Sequence, residues 1–190
     1  MVAYAFYDSD NRVRRYAETL ARRGDHVDAI SLRQKGQKSF DTINGVNVFR
    51  IQERERNEKG KISYLGRLLK FLIKSTIFIS RKHLKRPYDL IHIHSVPDFE
   101  VFAGCLPKLL GAKIILDIHD IVPEFYASKF GGGRDSMLFN GLLFLEKASA
   151  WFADHVIVSN HIWERTLVSR SVKQAKCSTV LNYPDPSLFH

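Results

Sequence analysis

Two rhythms of apolar residues alternate along this chain. Val2 to Phe6 is a short apolar run with strand character. Asn11 to Arg23 then repeats Val13, Tyr16, Ala17 and Leu20 at helical spacing, and Gly24 stops it. His26 to Leu32 alternates as a second strand, and Val46 to Ile51 reads as a third after the turn signal Asn44-Gly45. The charged stretch Gln52 to Lys61 predicts a loop. Ile62 to Leu84 predicts a long helix that ends at Arg86-Pro87, because a proline pushes its predecessor out of helical geometry. Beyond it come strand Leu90 to His94, helix Phe99 to Leu110 closed by Gly111, and strand Lys113 to Ile118. A loop around Gly131-Gly132-Gly133 leads to helix Met137 to Phe152, strand His155 to Val158, helix His161 to Val168 and strand Ser178 to Leu181.

Strand then helix, repeated, predicts the α/β class: a Rossmann-like parallel sheet with helices on both faces. Lys113 to Ile118 is apolar on both faces, as a buried parallel strand should be. Ligands of such sheets bind outside the carboxyl ends of the strands. That rule selects four loops: Tyr7 to Asn11, His94 to Asp98, His119 to Glu124, and Ser159 to His161. Polar and titratable residues concentrate in them.

The composition fits one folded domain. Hydrophobic residues make up 45% of the 190 residues and aromatics 12%, enough for a sizeable core and unlike a disordered chain. The two cysteines, Cys105 and Cys177, are too few for a disulfide framework and read as buried free thiols in a reducing compartment. The opening residues carry no signal-peptide pattern. The most apolar stretch, Leu68 to Ile79, is broken by Lys70 and Lys74 and falls short of the ~20 apolar residues that a membrane span needs.

The net charge of +9 calls for an anionic partner: nucleic acid, membrane or phosphorylated substrate. The chain has no zinc spacing, RNA-binding aromatic motif or helix-turn-helix pattern, so nucleic acid is not expected. The helix Ile62 to Leu84 places Arg67, Lys70, Lys74 and Arg81 on one side, with Leu65, Leu68, Leu69, Leu72 and Ile79 elsewhere around it. Such a basic amphipathic helix suits an anionic membrane surface, and its plain alternative is a core-packing helix with a solvated basic face.

The chemistry-bearing residues each have a functional and a structural reading. The loop Tyr7-Asp8-Ser9-Asp10-Asn11 precedes a helix start, where exposed amides suit an anion, but it lacks the glycines of a dinucleotide fingerprint. Asp10 or Asn11 can equally be a plain helix cap. His92 and His94 share one face of a strand; His94, at its carboxyl end, is the functional candidate, and His92 reads as a core histidine. No third ligand stands at convincing spacing for a metal. His119 ends an apolar strand and points into the crevice, followed by Asp120 and Glu124. Near neutrality it can donate to a developing negative charge or to a sugar hydroxyl; satisfied by Asp117 or Asp120, it is structural.

With these residues in place, the chain resembles the amino-terminal domain of glycosyltransferase family 4. Four segments carry the match. Arg12 to Val27 resembles the family's first helix, which ends in "GH-V", and Tyr88 to Ser95 its "DVVHAHS" strand. Leu116 to Asp120 resembles its "T-HD" strand end. Ala153 to Ser159, with Leu181-Asn182-Tyr183-Pro184-Asp185, resembles "AD-VI-VS" and "IPNGVD". The ordered set spans nearly the whole chain.

The resemblance implies the amino-terminal half of a GT-B fold, in which two Rossmann-like domains face each other across the active site. Residues 1–182 would be the acceptor-side domain, and residues 183–190 would start a linker to a donor-binding domain outside this sequence. It implies retaining transfer of a sugar, hexosyl in type, from a nucleotide-sugar co-substrate to a polysaccharide or lipid-linked acceptor, with no other cofactor and no metal. His119 would contact the transferred sugar or support the reacting centre. Tyr7, Asp8 and Asn11 would border the acceptor and the donor diphosphate, although this loop lacks the glycines common in the family. His94, Ser95 and Asp98 would lie near the acceptor, and Asp120, Glu124 and Asn160 complete the expected substrate-binding set. The implied location is cytoplasmic, at the inner membrane face. The competing reading is a non-catalytic membrane-docking subunit that partners a separate donor-binding chain.

Overall fold

The apolar runs pair with one another in a single sheet. The computed structural model describes residues 1–54, 61–125 and 136–183. Its strands are β1 (Val2–Phe6), β2 (Val27–Arg33), β3 (Phe40–Ile43), β4 (Val46–Glu53), β5 (Leu90–His94), β6 (Lys113–Ile118), β7 (His155–Val158) and β8 (Cys177–Thr179). Its helices are α1 (Asn11–Arg23), α2 (Lys61–Lys85), α3 (Cys105–Leu109), α4 (Met137–Phe152) and α5 (His161–Val168). Among the described residues the sheet order is β3-β4-β2-β1-β5-β6-β7-β8. Each pairing is parallel except β3 with β4.

The topology fixes where a ligand belongs. From β1 the chain builds outward through β2 and β4, then returns past β1 to lay down β5 and everything after it on the other side. The order reverses between β1 and β5, so a crevice opens beyond their carboxyl ends.

Helices cover both faces. Val13 and Ala17 of α1 bury against Ala3, Ala29, Val46 and Val48. On the other face Leu68, Phe71 and Ile79 of α2 pack with Ile30, Leu32 and Ile93. Fully burying such a side chain contributes about 1.5–3 kcal/mol. Asp10 caps α1 by accepting from the Arg12 and Val13 amides, and Gly24 ends it with a φ of 101°, a left-handed turn natural to glycine. Among the described residues no helix is long and apolar enough to cross a membrane.

Several expected elements differ. β3 was not anticipated, because Phe40 to Thr42 are exposed and show no apolar alternation. It pairs with β4 through a tight turn in which Asn44 and Gly45 both have positive φ, 49° and 82°. Gln52 and Glu53 extend β4 rather than starting a loop, residues 55–60 and Gly131-Gly132-Gly133 lie outside the described residues, and the last strand ends at Thr179 rather than Leu181. The helix expected from Phe99 to Leu110 is a 3-10 segment, Asp98–Gly104, followed by the short α3. Pro107 has no amide to donate to the preceding turn; starting α3 at Cys105 puts it in the first turn, where no donor is needed. Cys105 is only partly buried, while Cys177 is buried. On α2, Lys70 and Arg81 are exposed, but Arg67 and Lys74 are half-buried. Lys74 Nζ turns inward and donates to the Ile51 carbonyl at 3.0 Å.

Candidate active site

The crevice is built on one buried carboxylate. Asp117, in β6, is fully buried. Arg12, in the first turn of α1, reaches it with both arms of its fork: Nε donates to Oδ2 at 3.0 Å and Nη2 to Oδ1 at 2.7 Å. Arg12 Nη1 also donates to the Val180 carbonyl at 3.2 Å, tying α1 to the segment after β8.

Three histidines surround the same carboxylate. From Asp117 Oδ2, His94 Nδ1 lies at 3.3 Å, His92 Nε2 at 3.4 Å and His119 Nε2 at 3.7 Å. The strand period of two puts His92 and His94 on one face, with their rings stacked at 4.3 Å between centroids. Tyr16 of α1 lies beside both, 5.3 Å from His92 and 5.9 Å from His94. His94 Nδ1 also stands 3.2 Å from His119 Nε2.

Burial and charge set the protonation of this cluster. Burial opposes ionisation of Asp117, but the nitrogens of His119, His92 and His94 gathered around it and the two hydrogen bonds from Arg12 outweigh it and hold the carboxyl well below the usual range. Burial pushes His94 down to about 3, with Asp117 pulling the other way, and pushes His92 down as well. At neutral pH the cluster therefore holds two uncharged imidazoles, a carboxylate and a guanidinium. His92, His94 and Asp117 place three ligand-type atoms within 4.8 Å of one another. The Arg12 guanidinium already occupies both Asp117 oxygens, so the donor set suits hydrogen bonding better than a dication.

Only one of the three histidines lines the cavity beyond the carboxyl ends of the strands. His119 has 24% of its side chain exposed. It lines a cavity of about 580 Å³ with Arg12, Asp120, Ser159, Leu181, Asn182 and Tyr183. Its Nε2 turns inward, and among the described residues Nδ1 has no protein partner. Ser159 Oγ donates to the His119 carbonyl at 3.0 Å and fixes the backbone there.

Of the other expected substrate residues only one lines this cavity. Asp120 lines it, and Asn160 stands next to Ser159 but spends its side-chain oxygen on the Trp163 amide as the cap of α5. His94 lies directly behind His119, buried. Ser95 and Asp98 form a buried pair in which the hydroxyl donates to the carboxylate; burial pushes Asp98 up to about 6. Tyr7 is buried, Asp8 pairs with Arg50, and Asn11 is exposed at the start of α1. Asp10 occupies the helix-start amides itself. Glu124 is gripped by Arg170, which also holds the buried Glu146.

Arg12 was not singled out from the sequence. The available signal was its position: a cation in the first turn of a helix opposes the macrodipole and needs another reason to be there. That reason is Asp117.

Comparison with known proteins gives a consistent answer. A family model described as "Glycosyl transferase 4-like domain" matches residues 9–182. No curated protein sequence matches the chain. Among solved structures, sucrose-phosphate synthase from Thermosynechococcus elongatus is 20% identical with a TM-score of 0.76, over 100% of this chain and 49% of that one. A shorter piece of the same synthase is 20% identical with a TM-score of 0.65, over 97% of this chain and 88% of that one. Anabaena HepE, in complex with UDP and glucose, is 13% identical with a TM-score of 0.55, over 99% of this chain and 45% of that one. The chain thus spans about half the length of the synthase and of HepE, and shares with them the Rossmann-like fold of GT-B glycosyltransferases.

Proposed function

Because the chain belongs to the glycosyl transferase 4-like family, we propose that it is the acceptor-side domain of a retaining glycosyltransferase. In this reading a hexosyl group passes from a nucleotide sugar to a hydroxyl of a polysaccharide or lipid-linked acceptor. The donor-binding half is supplied by a domain or chain beyond these residues, and no further cofactor takes part. The protein works in the cytoplasm, at the inner face of the membrane.

The observation that supports this most is the placing of His119. It lines the cavity at the carboxyl ends of the strands, with its inward nitrogen backed by His94 and Asp117. A histidine so held turns its inward N–H towards Asp117, so its outward nitrogen accepts from a sugar hydroxyl when the ring is neutral and donates to charge developing on the leaving group when the ring is protonated. His94, Asp117 and Arg12 hold the ring, and Asp120 and Ser159 offer polar groups to the acceptor. In this reading Ser95, Asp98 and Asn160 support the loops around it, and Tyr7, Asp8 and Asn11 would reach the substrate from the loop after β1, outside the cavity lining.

The test is sugar transfer by the complete polypeptide, screened over nucleotide sugars and lipid-linked acceptors, with and without His119→Ala. Transfer that falls about 100-fold or more in the variant supports the assignment. Transfer that survives keeps the family and removes His119 from the chemistry. A second reading, a membrane-docking subunit whose partner performs the reaction, is favoured by the exposed apolar residues Leu69, Ile73 and Ile77 on α2. It predicts that only the partner chain carries transfer.

A further inference from the structure

The outward face of α2 is apolar where a solvated helix should be polar. Leu69, Ile73, Ile77 and Leu84 are 45%, 59%, 46% and 66% exposed. The helical period gathers them into one stripe about 22 Å long. A contiguous apolar strip of this kind marks a contact surface. Lys70, Arg81 and Lys85, all exposed, run along one side of the stripe.

Beside that basic row lies a groove of about 920 Å³, between α2 and the β2-β4-β3 side of the sheet. Phe40, Phe49, Ile77 and Phe78 give it apolar walls. Its lining holds seven lysine and arginine side chains against one acid, Asp28. Asp28 is already engaged, accepting from Tyr88 Oη at 2.8 Å and Asn47 Nδ2 at 3.0 Å. Four of the cations are likewise committed: Arg33 to Glu53, Arg50 to Asp8, Lys74 to the Ile51 carbonyl, and Lys82 to the face of Phe49 and to Asp28. The side chains of Arg81, Lys85 and Arg86 have no protein partner among the described residues, so their charge is left unneutralised at the mouth of an apolar slot.

From this juxtaposition we infer that the groove binds the headgroup phosphate of an anionic membrane lipid, with α2 lying in the membrane interface. The cations supply charge complementarity for phosphate, and the aromatic walls accept the apolar part next to it. The Leu/Ile stripe enters the acyl boundary, as an interfacial amphipathic helix does. A free soluble anion would make no use of the stripe. The inference deepens the proposed function, resting on its lipid-linked acceptor for purpose, but the binding itself needs no donor sugar and no transfer.

The test is sedimentation of the chain with vesicles of phosphatidylcholine, with and without phosphatidylglycerol, in the absence of nucleotide sugar. Binding is expected only to the phosphatidylglycerol vesicles and should weaken as salt is raised. The double variant Arg81→Glu/Lys85→Glu is expected to lose about tenfold or more in partition. Ile73→Ser/Ile77→Ser should lower it through the stripe. Each variant alters partly or fully exposed positions, and an unchanged melting temperature checks that the fold is intact. Equal binding to both vesicle types would overturn the phosphate groove. Binding of inorganic phosphate without vesicle binding would overturn the lipid as occupant. Self-association that the stripe variant abolishes, with no vesicle binding, would assign the face to a second copy instead. Failure of transfer with vesicle binding intact would leave this inference standing and count only against the enzymatic reading.

Discussion

Arg12 and Asp117 stand 105 residues apart in sequence and form a bidentate, buried ion pair at the centre of the crevice. The pair joins the first turn of α1 to the middle of the sheet, and the third arm of Arg12 holds the segment after β8. It is therefore a structural clasp across the reversal in strand order as well as the support under His119.

Breaking one side of this clasp leaves the other charge buried. Asp117→Asn is expected to destabilise the fold by about 3–5 kcal/mol, because the Arg12 guanidinium loses its counter-charge where water cannot replace it. Arg12→Lys should cost less, since a charge remains, but it loses the two-pronged fit. Urea denaturation of the three proteins checks the order: wild type most stable, then Arg12→Lys, then Asp117→Asn.

The histidine cluster gives the protein a defined acid weakness. The folded state keeps His94 neutral down to about pH 3, whereas the unfolded chain takes up that proton near 6.5. The unfolded state thus binds more protons in that window, and stability falls as pH drops through it. The slope is at most roughly 1.4 kcal/mol per pH unit from this group. Asp117 adds to the loss at lower pH, because its stabilisation is present above the ordinary carboxylate pKa and disappears as the carboxyl protonates. Nitrogen NMR of the imidazoles is the direct check: His94 should hold its neutral signature between about pH 4 and pH 8.

Arg170 predicts a second site of sensitivity. It pairs with Glu146, 1% exposed, and with Glu124, which lies just beyond His119 in the helical residues 122–125. Arg170→Met strands two carboxylates and is expected to cost about 3 kcal/mol or more. Adding Glu146→Gln should recover part of that loss, since no buried charge then remains at that position. Thermal denaturation of the single and double variants measures the coupling.

The sequence made the frame of this molecule legible wherever burial imposed a period. The strands from Val2, Val46, Leu90 and Lys113 and the helices at Asn11, Lys61, Met137 and His161 all lie close to where apolar spacing put them. β3 escaped because an exposed edge strand has no core to impose alternation. The 3-10 segment escaped because its apolar spacing looks helical, and Pro107 decides the geometry locally. His119 and Asp120 could be placed at the cavity from the end of a strand alone. The hub beneath them could not, because it joins Arg12, His92, His94 and Asp117 from separate elements and depends on tertiary contact.

Glu100 offers the sharpest pH test, because its titration runs opposite to the histidines. It lies in the 3-10 segment, fully buried, with neither carboxylate oxygen in a hydrogen bond of normal geometry among the described residues. Burial pushes its carboxyl up to about 8, and Ser75 offsets this only in part. The folded state therefore holds the proton that the unfolded chain releases near 4.5, so stability from this group is present at low pH and is lost as pH rises towards 8. Glu100→Gln keeps the shape and removes the titration. The variant should match the wild type near pH 5 and exceed it progressively towards pH 8, by up to a few kcal/mol. Paired urea melts at the two pH values decide it. A gain that does not grow with pH would mean that Glu100 is already ionised in the folded protein, with a counter-charge or water sharing its site.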